Sequence, residues 1–303
     1  MALDPDAFTW ASTDVRGFTQ AFVRENPGGV PLLLVHGWPE TSRIWWRVIR
    51  PLATAGFEVI APDLRGFGRS GIGPDGFHDV ASHALDLHAL MRAAGHDRYV
   101  TVGGDLGGAI IQDLALRHPD ATIRMVLFNS PLPYDRERMR GMRTRPPAES
   151  SDYFLRQGTD PDGLEAELDT PDKRRRYIAT FYGPRLWSHP GGFDREAVEF
   201  MTEPFADGTK LRASFGAYES AFDESARAEP ARIGRNEHTE TMILFGPSDH
   251  VIYPEFDRMA AVVFPNHVGP FLVRDCGHFL QWEAADVLVG ATRSFCRDLL
   301  AQS

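Results

Sequence analysis

The run Gly103-Gly104-Asp105-Leu106-Gly107-Gly108 sets one carboxylate among glycines, directly after the apolar stretch Tyr99–Val102 and directly before a helical pattern. Glycines there let the chain reverse sharply and lift one side chain at the end of a sheet. This is the geometry of a nucleophile elbow, with Asp where Ser is usual. A dinucleotide fingerprint needs glycine at its third position, which is Asp105, and a phosphate-binding P-loop needs a Gly-Lys-Ser/Thr ending that is absent. Taken alone, the run also suits an aspartate that merely caps the following helix. Three further loops carry reactive groups: His36-Gly37-Trp38-Pro39-Glu40, Gly246-Pro247-Ser248-Asp249 and Asp275-Cys276-Gly277-His278. A carboxylate that attacks saturated carbon forms an ester, which water can cleave through its carbonyl, whereas a serine would leave a stubborn ether. An aspartate elbow therefore predicts substitution at sp³ carbon, with epoxides and alkyl halides as the substrate classes. His278 would activate water against the ester, and Asp249 would fix its tautomer and stabilise the imidazolium.

These groups need a scaffold that brings loop ends together. Leu32–Val35, Phe57–Ala61, Tyr99–Val102 and Ile123–Phe128 read as buried strands. Between them lie helical patterns at Ile44–Ala55 (ending at Gly56), Val80–Ala94 (stopping at Gly95) and Gly107–His118. Such alternation implies right-handed crossovers and a mostly parallel sheet, whose ligands bind above the carboxyl ends of the strands. From Pro131 to about Glu229 the pattern turns helical, with stretches such as Leu164–Leu168 and Lys173–Tyr182. It resumes with a strand at Thr241–Phe245, a helix at Phe256–Val263, a strand at Pro270–Val273 and a last helix over Ala284–Leu300. The expectation is a core domain from 1–132 and 230–303, split after its sixth or seventh strand by a helical lid over 133–229.

Composition narrows the partners. The 303 residues are 43% hydrophobic and 24% charged, with a net charge of −10. An acidic surface repels phosphate, so nucleic acid and anionic membrane are not expected partners. No apolar run is long enough to span a bilayer, and Met1–Asp6 lacks the basic start of a secretory signal. Two cysteines, Cys276 and Cys296, point to a reducing compartment and a cytoplasmic setting. No His/Cys/Asp spacing suggests a metal, and the chemistry needs no cofactor. Lys173–Arg176 reads as a solvated helix face, Cys276 as a packing residue, and Trp45, Trp46, Trp187 and Trp282 as core or pocket wall.

Taken together, His36–Glu40, Asp63-Leu64-Arg65-Gly66-Phe67-Gly68-Arg69-Ser70, Gly104–Gly108 and Asp275–Phe279 resemble the motifs of the α/β-hydrolase-fold epoxide hydrolases. The resemblance runs from about Phe8 to Leu300. It implies an α/β-hydrolase fold with a mostly parallel eight-stranded sheet and a helical lid, and a small apolar epoxide and water as the reactants. It further implies backbone N–H groups of Trp38 and Leu106 as an oxyanion hole, with Trp38, Pro39, Leu106 and Phe279 around the substrate. In the family two lid tyrosines donate to the epoxide oxygen. Tyr218 fits the later position and Tyr153 the earlier one, while Tyr134, Tyr177 and Tyr182 remain alternatives for the latter. One departure stands out. The related haloalkane dehalogenases carry Trp directly after the nucleophile and the fluoroacetate dehalogenases carry Arg, and Leu106 can do the work of neither. A dehalogenase or another small-substrate hydrolase is the alternative within the class, and a non-catalytic ligand-binding scaffold the alternative outside it. The oligomeric state is left open, a homodimer included.

Overall fold

A computed structural model describes residues 3–144, 151–183, 185 and 187–302. Its centre is an eight-stranded sheet: β1 (Trp10–Val15), β2 (Phe18–Glu25), β3 (Val30–Val35), β4 (Phe57–Pro62), β5 (Tyr99–Gly104), β6 (Thr122–Phe128), β7 (Glu240–Phe245) and β8 (His267–Leu272). The strands lie in the order β1-β2-β4-β3-β5-β6-β7-β8. From β4 to β8 every neighbouring pair is parallel, and only β1–β2 and β2–β4 are antiparallel. The reason is visible in the sequence. Leu32–Val35 and Val59–Ala61 are continuous apolar runs, Val100 and Val102 flank a buried Thr101, and all are fully buried. A strand covered on both faces needs such a run. Each of the large apolar side chains contributes about 1.5–3 kcal/mol when withdrawn from water.

The strands β1 and β2 carry no comparable signal. They form a hairpin in which Val15 pairs with Phe18. Its two loop residues, Arg16 and Gly17, both have positive φ, at 46° and 91°. That is the twist a two-residue hairpin turn requires, but Arg-Gly is a poor cue for it beside Asn-Gly or Asp-Gly.

The expected elements form with three corrections. The stretch Ile44–Ala55 is divided into a 3₁₀ turn, Ser42–Trp45, and a short helix α1 (Ile49–Thr54). Pro51 accounts for the break, since its ring and missing N–H prevent an α-helix from running back through residue 47. β8 begins earlier than the apolar run Pro270–Val273, and the last helix is three pieces, α11 (Leu280–Glu283), α12 (Ala285–Phe295) and α13 (Arg297–Leu300). Between them in chain order stand α2 (Val80–Ala93), α3 (Asp105–Arg117), α4 (Ser151–Thr159), α5 (Pro161–Glu167), α6 (Pro171–Ala179), α7 (Arg195–Thr202), α8 (Gly208–Ser214), α9 (Gly216–Phe222) and α10 (Phe256–Val263).

The elements α4 to α9 all follow β6 and precede β7, and among the described residues this region holds no strand. Residues 145–150 of the expected lid lie outside the described residues. An aromatic cluster seats these helices on the sheet. Trp38, Phe181 and Trp187 are buried together, with ring centroids 4.7 Å apart for Trp38–Phe181 and for Phe181–Trp187. Cys276 and Cys296 are buried and unpaired. No helix among the described residues is long and apolar enough to cross a membrane.

Candidate active site

Asp105 ends β5 and opens α3 with φ at 48°, a left-handed backbone that a residue other than glycine adopts only when its surroundings hold it there. The neighbouring strand does so. The Asp105 N–H donates to Asn129 O at 2.8 Å, and Ser130 Oγ donates to Asp105 O at 3.1 Å. The side chain is thereby presented at the N-terminus of α3, where the helix dipole favours an anion. Oδ1 accepts the Trp38 N–H at 2.7 Å, and Oδ2 lies 3.2 Å from His278 Nε2. Gly37 must lack a side chain here, because a Cβ would stand 2.6 Å from Asp105 Cβ and Oδ1. Leu106 N–H makes no hydrogen bond to the Asp105 side chain among the described residues. Of the two expected oxyanion donors, only Trp38 engages the carboxylate, which leans toward the loop after β3.

His278 and Asp249 complete a linear array. His278 Nδ1 donates to Asp249 Oδ2 at 2.8 Å, and Asp249 Oδ1 accepts N–H groups of Val251 at 2.6 Å and Ile252 at 3.2 Å. Burial works against an imidazolium on His278, but Asp249 and Asp105 outweigh it and raise the pKa well above the usual histidine value. The two carboxylates thus favour a proton on His278 while Asp105 is ionised.

Two polar residues that sequence reasoning left without a role support this array. Asn129, directly after β6, donates from Nδ2 to Asp249 Oδ2 at 2.8 Å and to Gly277 O at 2.9 Å. Its Oδ1 accepts the Gly246 N–H at 2.9 Å, so one amide ties the loops after β6, β7 and β8. Its position as the first residue beyond a buried strand was the available signal. Glu40, inside the His36–Glu40 motif, is buried and accepts Gly37 N–H at 2.6 Å and Gln281 Nε2 at 2.7 Å. Burial and the nearby Asp105 charge push its carboxyl up to about 8.

Across from Asp105 stand two phenols. Tyr153 on α4 stacks on Trp38 with centroids 5.5 Å apart and planes 5° apart, and Tyr218 on α9 meets Tyr153 edge-on at 5.7 Å. Burial, and then for Tyr153 the Asp105 charge, raises each phenol well above its usual pKa, so both stay protonated. The other lid tyrosines go elsewhere. Tyr134 is 60% exposed, Tyr177 accepts from Gln157 Nε2 at 2.9 Å, and Tyr182 donates to Pro39 O.

Asp105, Leu106, Tyr153 and Tyr218 share one cavity of about 370 Å³, walled mostly by apolar groups such as Ala109, Ala217, Ile233 and Val251. Three residues expected at the substrate do not line it. Trp38 lies behind Tyr153, the Pro39 carbonyl accepts the Tyr182 hydroxyl, and Phe279 is buried against the Tyr182 ring at 4.9 Å. A larger cleft of about 800 Å³, edged by Arg69, Arg175, Glu196 and Glu199, contains none of these reactive groups. The apolar cavity thus combines a carboxylate aimed into it, a histidine–carboxylate pair behind that carboxylate, and two proton donors opposite. Such a set can alkylate the carboxylate and then hydrolyse the ester.

Comparison with known proteins agrees with this architecture. The family model described as alpha/beta hydrolase fold matches residues 30–285. An epoxide hydrolase of Caballeronia sordidicola is 26% identical over 290 residues, covering 87% of this chain and 86% of that one. A fluoroacetate dehalogenase of Burkholderia sp is 29% identical over 226 residues, covering 72% and 71%. Among solved structures, that of epoxide hydrolase CorEH without ligand superposes with a TM-score of 0.81 at 22% identity, covering 96% of this chain and 99% of that one.

Proposed function

We propose that this chain, which belongs to the alpha/beta hydrolase fold family, is an epoxide hydrolase that works through an ester on Asp105. The observation that carries the reading is the pairing, across one apolar cavity, of Asp105 with two buried phenols. A phenol is surplus to the loss of a halide, which departs as a stable anion. An epoxide oxygen departs as an alkoxide and needs a proton donor in the transition state.

In the first step Asp105 attacks one epoxide carbon, that C–O bond breaks, and the leaving oxygen takes a proton from Tyr153 or Tyr218. The product is a hydroxyalkyl ester. Forming it removes the negative charge from Asp105, and with it one of the influences that raise the His278 pKa. His278 can then give up its proton, which restores the phenol that donated in the first step, and the neutral imidazole, steadied by Asp249, accepts one from water. The hydroxide adds to the ester carbonyl, and the developing oxyanion lies where Trp38 N–H already meets Oδ1. One such donor is worth roughly 10²–10³ in rate when pre-aimed. Collapse releases the diol, with the alkoxide taking the proton from His278, and the carboxylic acid formed on Asp105 returns its proton to His278, which restores both groups.

Every group invoked comes from one chain, so monomer and homodimer are served alike. We place the activity in reducing, cytoplasmic surroundings, which suit two unpaired buried cysteines. The likeness to a fluoroacetate dehalogenase supports a second reading, the release of halide from a small haloacid. Leu106 weighs against it, since it offers neither an indole N–H nor a guanidinium. Incubation with styrene oxide and, separately, with fluoroacetate or chloroacetate tests the two readings. Diol from the first and no halide from the second is expected, and halide release without diol would overturn the assignment.

A further inference from the structure

Trp187 stands between the two halves of the site. Its ring centroid is 4.9 Å from that of Tyr153 and 5.3 Å from that of His278. The strap Trp187–His189 lies in the lid region, yet its backbone is tied to the His278 loop. His278 N–H donates to Trp187 O at 2.8 Å. Gly277 approaches the strap so closely that a Cβ would stand 2.5 Å from Trp187 O and 2.6 Å from His189 N. One carboxylate clamps the two segments. Glu283, at the end of α11, accepts with Oε2 the N–H of His189 at 2.7 Å and of Gly277 at 2.9 Å, and with Oε1 the N–H of Phe279 at 2.9 Å. It therefore grips the residue before His278, the residue after it, and the strap. Glu283 is not among the residues that line the cavity, so any effect on the reaction passes through His278.

We propose that Glu283 is a positioning residue that couples the lid to the general base, so that His278 is competent to hydrolyse the ester only while the strap Trp187–His189 is docked. The inference rests on the two-step reading above. Its physical basis is that three N–H groups converge on a single carboxylate. An amide cannot replace it, because glutamine has one acceptor oxygen and would turn N–H groups toward N–H groups.

The test is Glu283→Gln in the full chain, with styrene oxide as the probe. Ring opening uses Asp105 and the phenols, so kcat/KM should stay within about twofold. Ester hydrolysis uses His278, so kcat and KM should fall together by about 10- to 100-fold, and the ester should accumulate as added mass on the intact protein. An unchanged kcat, or a fall in kcat/KM as large as that in kcat, would overturn the coupling. A second readout does not depend on turnover. Amide exchange at His189, Gly277 and Phe279 without substrate should quicken by about tenfold or more in the variant, since these amides lose their charged acceptor. Unaltered exchange there overturns the proposal. Quickened exchange in the variant of a protein that is inert toward the epoxide even as wild type would sink the reaction proposed above, and with it the coupling to ester hydrolysis, leaving Glu283 only as a clamp between the strap and the His278 loop. If Glu283→Gln does not fold, Gly277→Ala strains the same junction from the other side and should give the same kinetic split.

Discussion

Asp105, Asp249 and His278 stand just beyond the ends of β5, β7 and β8, whereas Tyr153 and Tyr218 stand on helices between β6 and β7, the region expected to form a lid, and the two sets are fixed by different forces. In the core, position is set by directional hydrogen bonds. Asp249 alone accepts from Asn129, Val251, Ile252 and His278. In the lid, position is set by rings. Tyr153 is stacked on Trp38 and met edge-on by Phe181 at 5.4 Å, Trp187 at 4.9 Å and Tyr218 at 5.7 Å. Hydrogen bonds fix individual atoms, as proton transfer between named nitrogens and oxygens demands. Ring packing fixes a plane, and the hydroxyls at the rims of Tyr153 and Tyr218 interact with each other. Under the proposed reaction the loops at the strand ends would hydrolyse the ester, and the helices between β6 and β7 would activate the epoxide.

Substitutions can break this division of labour. The largest effect is expected from His278→Gln. Ring opening should proceed once per enzyme and stop, with steady-state diol formation down by about 10³-fold or more and the ester stable enough to weigh. Rapid multiple turnover would show that the core base is not needed. Tyr218→Phe should act on the other step. The ring-opening rate should fall by about 10- to 100-fold, less than a full general-acid contribution because Tyr153 remains, while decay of preformed ester stays near the wild-type rate. Slowed ester decay in that variant would erase the distinction between the two regions.

The smallest effect concerns stability rather than rate. Glu40 has a carboxyl pKa raised to about 8 in the folded protein, from an ordinary value of 4.5. A folded pKa above the unfolded one means that the native state binds the extra proton. Its contribution to stability is complete below pH 4.5 and is lost as pH rises through about 8. Glu40→Gln keeps the neutral form at every pH. Melting temperatures should therefore favour the variant more at pH 9 than at pH 5, by roughly 3 °C or more, about 1 kcal/mol for a domain of this size. A difference that does not change with pH would mean that Glu40 is ionised throughout.

The same contrast explains what could be read from the sequence. Asp105, Asp249 and His278 each follow a recognisable apolar run within a few residues, after Val102, Phe245 and Val273, so a parallel sheet carries them to one edge without further information. Asn129 obeyed the same rule and was passed over, because an amide has no chemistry of its own and matters only through the carboxylate it meets. Tyr153 and Tyr218 could be proposed only by likeness to a family, since their approach to Asp105 depends on packing among rings distant in sequence. Pro39 and Phe279 show the converse. Both lie close along the chain to residues of the site, yet neither lines the cavity, Phe279 being packed against Tyr182 and His278. The hairpin β1–β2 was hidden for a local reason, a turn built on Arg16-Gly17.

One measurement bears on the account most directly. A single turnover of excess enzyme with styrene oxide in ¹⁸O-labelled water reports which oxygen enters the diol. If Asp105 is the nucleophile, the first diol carries ordinary oxygen taken from its carboxylate, and the label appears in the Asp105 side chain. Label in the first diol, with an unlabelled Asp105, would mean that water opens the ring itself and that no ester forms.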